Sequence, residues 1–470
     1  MISKRWNKDG LDRLLASPVF TARQIRQMAL PLVLDGLSIM FINMLITALI
    51  SSAGEASVAA VNLVSPIFTL AVCLLNGICA GGTVAVTQNY GSGDAAKTEK
   101  AAGQILWLTF LSGGLIGLLL ILFPRPILTF LYAGAEPEVL AKAASYMARG
   151  SISLIIFTIY SGIFCILRGL GESKKCLYLT IIINVAYLLF SILFLNVLQM
   201  DILGSALALI LARTAGSLAA VAFLFLPRDL PIHMTLRAIF SFDKPILASI
   251  LDVSIPFGLE QIFLYGGNIV VTAIAVPLGT SAIAVNSIAN SLFGVVTAAA
   301  LAAGNLGVTV TGRCIGAGEK KHAYRYGMMM VIFAEGLLLV SAAVFYPLFP
   351  LMLEHLYTAA PAVQAGTLRL LRNILIPALL FWPVSNVIPA ILRSGHDTVF
   401  PSALSLASMW TVRVAWGYVL AFPLGLGLDG LWIAMWSEWA VRTVILSLRF
   451  CRKKWLNKAA PAASSNINSP

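Results

Sequence analysis

Apolar residues run in stretches of about the twenty residues a helix needs to cross a bilayer. Twelve such stretches recur along the chain, approximately 25–51, 58–87, 101–124, 143–168, 177–199, 204–226, 250–276, 282–311, 325–348, 366–392, 398–422 and 427–449. They are apolar all round and lack the short alternating segments of a spanning barrel, so the pattern predicts helices. The longest break is 227–249, where Pro227, Arg228, Asp229, Pro231 and then Asp243-Lys244-Pro245 interrupt it. Within it, His233 to Phe242 reads as an amphipathic stretch suited to the membrane surface. Between the third and fourth runs, Glu138, Lys142 and Tyr146 share one helical face and predict a separate interfacial helix. The segment after Lys458, rich in Ala, Ser, Asn and Pro, is expected to be disordered.

The pattern is written twice. Pro31, Asp35, Asn43, Thr47, Gly54, Gly91, Gly93 and Asp94 return as Pro256, Glu260, Asn268, Thr272, Gly279, Gly316, Gly318 and Glu319 at one constant displacement. Ile166-Leu167-Arg168 returns as Ile391-Leu392-Arg393 at that same displacement. Six runs per half bring the second half back to the starting side, so the repeats are parallel, related by an axis along the membrane normal. The expected organisation is a segment 1–24, a first lobe 25–226, a linker 227–249, a second lobe 250–450 and a tail 451–470.

Composition agrees with a membrane protein: 59% hydrophobic and 11% charged residues, with mean hydropathy +0.90. Soluble domains carry about 45–50% apolar and 25% charged residues. The net charge of +12 is explained by location. Most lysines and arginines fall in the termini and alternate loops, and only Arg125, Lys142, Arg149, Arg369 and Arg372 fall in the opposite loops. Retention of cations inside then places both termini in the cytoplasm of a multi-pass protein of the cell (inner or plasma) membrane. A nucleic-acid partner is not needed to explain the charge. The start is charged and polar and its first apolar run exceeds a signal-peptide core, so no cleavable signal is expected. Six cysteines without metal spacing read as packing residues, and no metal is expected.

Gly91-Ser92-Gly93-Asp94-Ala95-Ala96 matches the outline of a dinucleotide loop, but a membrane run precedes it where a phosphate cradle needs a buried strand. It reads instead as a tight turn with glycines at positive φ and Asp94, or Glu319 in the repeat, capping the next helix. No GxxxxGK(S/T) loop is present, so no nucleotide and no cofactor is expected, and any pumping must draw on an ion gradient.

Ala29-Leu30-Pro31, Gly54 with Ala59-Ala60-Val61-Asn62, and Gln88-Asn89-Tyr90-Gly91-Ser92-Gly93-Asp94 resemble the MATE family of multidrug and toxic compound extrusion transporters, of the MOP flippase superfamily. The second half is still closer, with Ser254-Ile255-Pro256-Phe257-Gly258-Leu259-Glu260, Gly279 with Ala282-Ile283-Ala284-Val285-Asn286, and Gly316-Ala317-Gly318. The resemblance implies an all-α polytopic protein: twelve transmembrane helices in two six-helix lobes that form a V around a central cavity. It also implies antiport, a cation moving in while an organic, often cationic, compound moves out, by a protein expected to act as a monomer. The family's usual first-lobe carboxylates fall at Ile46 and Leu188, the latter four residues after Asn184, and are missing.

Asp35 and Glu260 are the candidate cation-coupling residues. Asp35 lies about 14 Å into the first run counting from Arg26, and Glu260 about 12 Å from Asp252, near the middle of a core about 30 Å thick. A carboxylate at that depth is expected to face a cavity and exchange a proton; the other role open to both is that of a hydrogen-bonded structural polar. Pro31 and Pro256, one turn before each acid, free a helical carbonyl and are candidate hinges. Asn43, Asn268, Asn184, Asn62, Asn286 and Gln261 are candidate cavity or supporting residues, with hydrogen bonding between helices the expected role of the repeated asparagines. Arg413 sits deep, to pair with a carboxylate or to meet substrate. Arg442 and Arg213 are expected to snorkel to the interface. Glu335 and Tyr265 complete the candidates.

With Ile46 and Leu188 at the usual acid positions, a proton is favoured over sodium as coupling ion, because sodium needs several converging oxygens. The expected partners are a small organic, cationic or amphiphilic substrate, the coupling cation and the lipid bilayer. Two alternatives stand beside this reading. One is a lipid-linked oligosaccharide flippase of the same superfamily, which would need more buried cations. The other is an integral membrane transferase, disfavoured because His233, His322, His355 and His396 lie in separate loops with no catalytic constellation.

Overall fold

The computed structural model describes residues 16–50, 55–132, 136–226, 230–232, 234–235, 239, 241–355, 357 and 360–458, with side chains left out at 40–50, 55–59 and 201–202. Among these residues the chain is helical throughout, without strands. The first half contains α1 (Ala22–Ile50), α2 (Glu55–Gly91), α3 (Ala95–Leu122), α4 (Pro137–Gly169), α5 (Ser173–Ser191) and α6 (Asp201–Phe225). The second contains α7 (Lys244–Ala275), α8 (Thr280–Gly316), α9 (Lys320–Phe345), α10 (Pro361–Ser394), α11 (Val399–Ser408) and α12 (Gly427–Cys451). Nine helical segments among the described residues are both long and apolar enough to span a bilayer. They fall on nine of the expected runs, and the other three overlap α1, α12 and the stretch 399–421 begun by α11.

The outward face of α3 shows why these helices suit lipid. Trp107, Phe110, Leu111, Leu115, Leu118 and Leu122 recur at spacings of three and four and are all exposed. A soluble helix would bury such a stripe.

The glycine turns take the expected form. Gly93 and Gly318 both stand at φ +78°, and a Cβ at either would meet no neighbouring atom, so backbone conformation alone requires them. Asp94 caps α3 by accepting from the Lys97 amide at 2.9 Å. Its repeat mate differs: Glu319 stands at the cap position of α9, but its carboxylate holds His322 Nδ1 at 2.9 Å rather than the backbone.

Two expected segments change. Glu138, Lys142 and Tyr146 are not a separate interfacial helix but the first turns of α4, with Lys142 and Glu138 in an i,i+4 pair at 3.2 Å. The short helix before it is Pro124–Leu131, opened by a proline whose missing N–H is one the first turn leaves unpaired in any case. Helix α7 begins at Lys244, inside the stretch assigned to the linker. Residues 233, 236–238 and 240 of the expected amphipathic stretch, and all of 459–470, lie outside the described residues.

Two compact units emerge from packing. One joins the chain up to Leu37 with the chain from Leu259 onward, and the other is Ser38–Gly258. Their boundaries therefore fall inside α1 and α7, whereas the sequence repeat divides between helices. The first unit is built on a core in which Ile25, Met28 and Leu32 of α1 pack with Leu306, Tyr326 and Ile391. In the second unit, α2 and the start of α7 approach through small residues. Gly77 and Gly81 on α2 meet Ser254 and Gly258 on α7, and the Ser254 hydroxyl donates to the Ile78 carbonyl at 3.4 Å. A Cβ on Gly77 would lie 2.8 Å from the Gly258 Cα, and one on Gly81 2.3 Å from the Ile250 carbonyl oxygen. This is small-xxx-small packing on both helices, which lets backbones meet where lipid supplies no hydrophobic drive.

In the first unit, the turn between α10 and α11 is locked by Asp397. Its fully buried carboxylate accepts from Arg449 at 2.8 and 3.0 Å and from Lys458 at 2.7 Å. Burial works to raise the Asp397 pKa, but the bonds from Arg449 and Lys458 outweigh it and hold the carboxyl below the usual carboxylate range.

Two stability tests follow from this packing. Gly81→Ala should destabilise the protein by at least about 1–3 kcal/mol through overpacking against backbone, seen as a lower melting temperature in detergent. Gly114→Ala, where a Cβ meets nothing, should not. Asp397→Asn should cost on the order of 3 kcal/mol, since it breaks a buried pair. A lowered folded pKa means that this stabilisation is complete above the unfolded value of about 3.9 and is lost as pH falls through the folded one. The gap between wild type and Asp397→Asn should therefore close in acid melts; a constant gap would contradict the assignment.

Candidate functional site

Glu260 is 3% exposed, and its Oε2 accepts from the Ser402 hydroxyl at 2.7 Å and from the Arg393 guanidinium at 3.2 Å. Helix α7 carries the acid, the last turn of α10 the arginine and α11 the serine. An unpaired carboxylate at this depth would carry a penalty of several kcal/mol, which a guanidinium and a hydroxyl together offset. Pro256 sits one turn earlier inside the continuous helix α7, as Pro31 does inside α1. Each lacks the N–H that the carbonyl four residues back would otherwise receive.

A second acid sits in the same unit. Glu438 on α12 is 1% exposed and meets Arg442 at 3.4 Å, Arg413 at 3.5 Å and the Ser408 hydroxyl at 3.4 Å. Arg442 also donates to the Ser385 carbonyl at 2.9 Å. Arg442 is thus buried in a network and does not snorkel; the Glu438-to-Arg442 spacing of i,i+4 was the sequence signal for the pair. Arg413 takes the first of its two expected roles, pairing with a carboxylate. It projects from a π-helical stretch, Met409–Trp416, that continues α11. Such wide turns often mark functional sites. Glu438 is thus shared by Arg413 and Arg442, while Glu260 is held by Arg393.

The remaining candidates divide. Asp35 is buried, 5% exposed, on the part of α1 that belongs to this same unit. Asn286 is buried and accepts from the Trp432 indole at 3.0 Å and the Asn290 amide at 3.1 Å, the helix-to-helix role expected of it. Gln261 and Tyr265 are half-buried beyond Glu260, and Asn268 is exposed, with its carbonyl accepting from Thr272 at 2.9 Å. Glu335 is half-buried on α9. In the other unit Asn62 is exposed, and the side chain of Asn43 lies outside the described residues.

The second unit holds a cavity of about 440 Å³, within the range of small-molecule sites. Asn184 lines it, beside Asn76, Tyr187 and Thr180. Arg168 and Arg213 also line it, and among the described lining residues there is no Asp or Glu. Arg213 does not snorkel: its Nη1 donates to the Ser153 hydroxyl at 2.9 Å and its guanidinium lies over Phe157.

Known proteins resemble this arrangement along nearly its whole length. The probable multidrug resistance protein YoeA of Bacillus subtilis (strain 168) is 26% identical over 407 residues, 84% of this chain and 85% of its own. The probable multidrug resistance protein NorM of Rhizobium meliloti (strain 1021) is 24% identical over 431 residues, 90% of this chain and 91% of its own. A solved outward-facing multidrug resistance MATE family transporter of the MOP superfamily superposes with a TM-score of 0.85 at 21% identity, covering 96% of this chain and 99% of that one, which establishes the shared fold. The family model MatE matches twice, over residues 31–193 and 256–419, and both matches begin at the repeated prolines. With each half matched separately and the fold shared from end to end, this chain belongs to the MatE family.

Proposed function

We propose that the protein is a secondary antiporter that expels amphiphilic organic compounds across the cell membrane in exchange for protons, with both termini cytoplasmic. The relatives named as multidrug resistance proteins support export of organic compounds. The observation that carries the coupling is the environment of Glu260, buried and held by one guanidinium and one hydroxyl.

Both of those groups act as donors toward the carboxylate. They suit a site that alternates between a charged, Arg393-bound state and a protonated one better than a site that gathers oxygens around sodium. Protonation of Glu260 removes the ion pair with Arg393 and so weakens what holds α7 against α10. Proton uptake is in this way tied to movement of α7 against α10 and α11, with Pro256 as the point of bending. Alternating access then needs no nucleotide, and the free energy comes from the proton gradient. Export of a lipid-linked oligosaccharide is the second reading, favoured by the two arginines of the cavity in the other unit; it predicts no gradient-driven movement of soluble dyes.

In proteoliposomes with imposed pH and sodium gradients, wild type should move dyes under the pH gradient alone. Glu260→Gln should abolish that movement, a loss of at least about tenfold, while reconstituting in equal amount. Wild-type rates in Glu260→Gln, or transport driven by sodium at constant pH, would overturn the proton reading.

A further inference from the structure

Helices α2 and α4 bring two thiols together inside the second unit. The Cys79 thiol donates to the Ser161 carbonyl at 3.5 Å, and one turn further along each helix the Thr83 hydroxyl donates to the Cys165 carbonyl at 3.4 Å. These bonds fix the two helices in register, with Cys79 opposite the turn from Ser161 to Cys165. The thiols of Cys79 and Cys165 are hydrogen-bonded to each other. Because the Cys79 proton is turned to Ser161, its sulfur is the acceptor. Both cysteines are free and line the cavity of this unit, beside Asn76 and Ser161. Cys79 is half-buried and Cys165 is 3% exposed, so a reagent in the cavity meets Cys79 first.

Two sulfurs side by side at the edge of a cavity make a chelate. A direct disulfide would draw them to about 2 Å, closer than hydrogen-bonded thiols stand, whereas an inserted soft atom bridges them with little movement of either helix. Zinc calls for four ligands in a closed site, and among the described residues no group of three His, Cys, Asp or Glu could hold a metal ion. Trivalent arsenic is satisfied by two sulfurs and one oxygen. Arsenous acid is small and uncharged, so it can enter an apolar bundle without the cost of burying an ion.

We propose that Cys79 and Cys165 form a dithiol site for trivalent inorganic arsenic. Two of the three hydroxyls of arsenous acid leave, each as water with the proton of one thiol. Two As–S bonds form as two As–O and two S–H bonds break. Arsenic stays trivalent, so no oxidant or reductant takes part. The adduct is neutral, keeps one hydroxyl on arsenic and ties α2 to α4. The site stands independently of the antiport reading.

Arsenic retained by the purified, reduced full chain after desalting, measured by elemental mass spectrometry, tests the site. Wild type should keep one arsenic per chain. Cys79→Ser and Cys165→Ser should each lose affinity by at least about a hundredfold, because the second As–S bond of a chelate closes intramolecularly. Cys73→Ser and Cys451→Ser should bind as wild type does. On wild type alone, and so independently of how the variants fold, dimercaptopropanol should strip the arsenic at a thiol concentration where mercaptoethanol leaves it. Wild-type affinity in Cys79→Ser or Cys165→Ser, equal stripping by the two reagents, or no arsenic retained by wild type would each overturn the proposal.

Discussion

An ionisable group inside an apolar helical bundle must be matched, and that constraint organises this protein. Glu260 and Glu438 draw Arg393, Arg413 and Arg442 toward the interior, together with the Ser402 and Ser408 hydroxyls. A proton added to either acid would weaken these bonds, and the proposed coupling draws on that property.

The other unit solves the matching problem differently. Arg168 lies over the Phe164 ring and Arg213 over that of Phe157. Cation–π contact is weaker than a buried ion pair. The repeat sharpens the contrast: Arg168 and Arg393 are corresponding residues, yet one lies over an aromatic ring while the other holds an acid. The duplication has kept the positions and divided the chemistry. Rigid packing supports the division, since the glycines of α2 bring α7 close at Gly77 and Gly81, near the point where α7 passes from one unit to the other.

Much of this was legible in the sequence because span length, apolarity and the repeat are one-dimensional signals. The apolar helical runs and the glycine turns at Gly93 and Gly318 follow from them directly, whereas Glu260, expected to face a cavity, is instead buried against Arg393 and Ser402. Partnerships were less accessible. Arg442 reads as an interfacial residue until α12 is seen to turn it inward toward Glu438, although the i,i+4 spacing was present. Arg213 meets α4 only after folding, since nothing local in α6 announces Phe157. The initial turns of α4 read as a separate helix because Glu138 and Lys142 look interfacial, yet the two pair one turn apart within the same continuous helix. The π-helical turn that carries Arg413 has no signature in residue types at all.

The central claim is that charge on Glu260 couples proton movement to transport, and the most direct measurement is lumenal pH in sodium-free proteoliposomes as a transported compound is added outside. The account predicts that the lumen becomes more alkaline as compound enters and protons leave, and that this signal vanishes in Glu260→Gln. Compound entry at full rate with lumenal pH unchanged would contradict it.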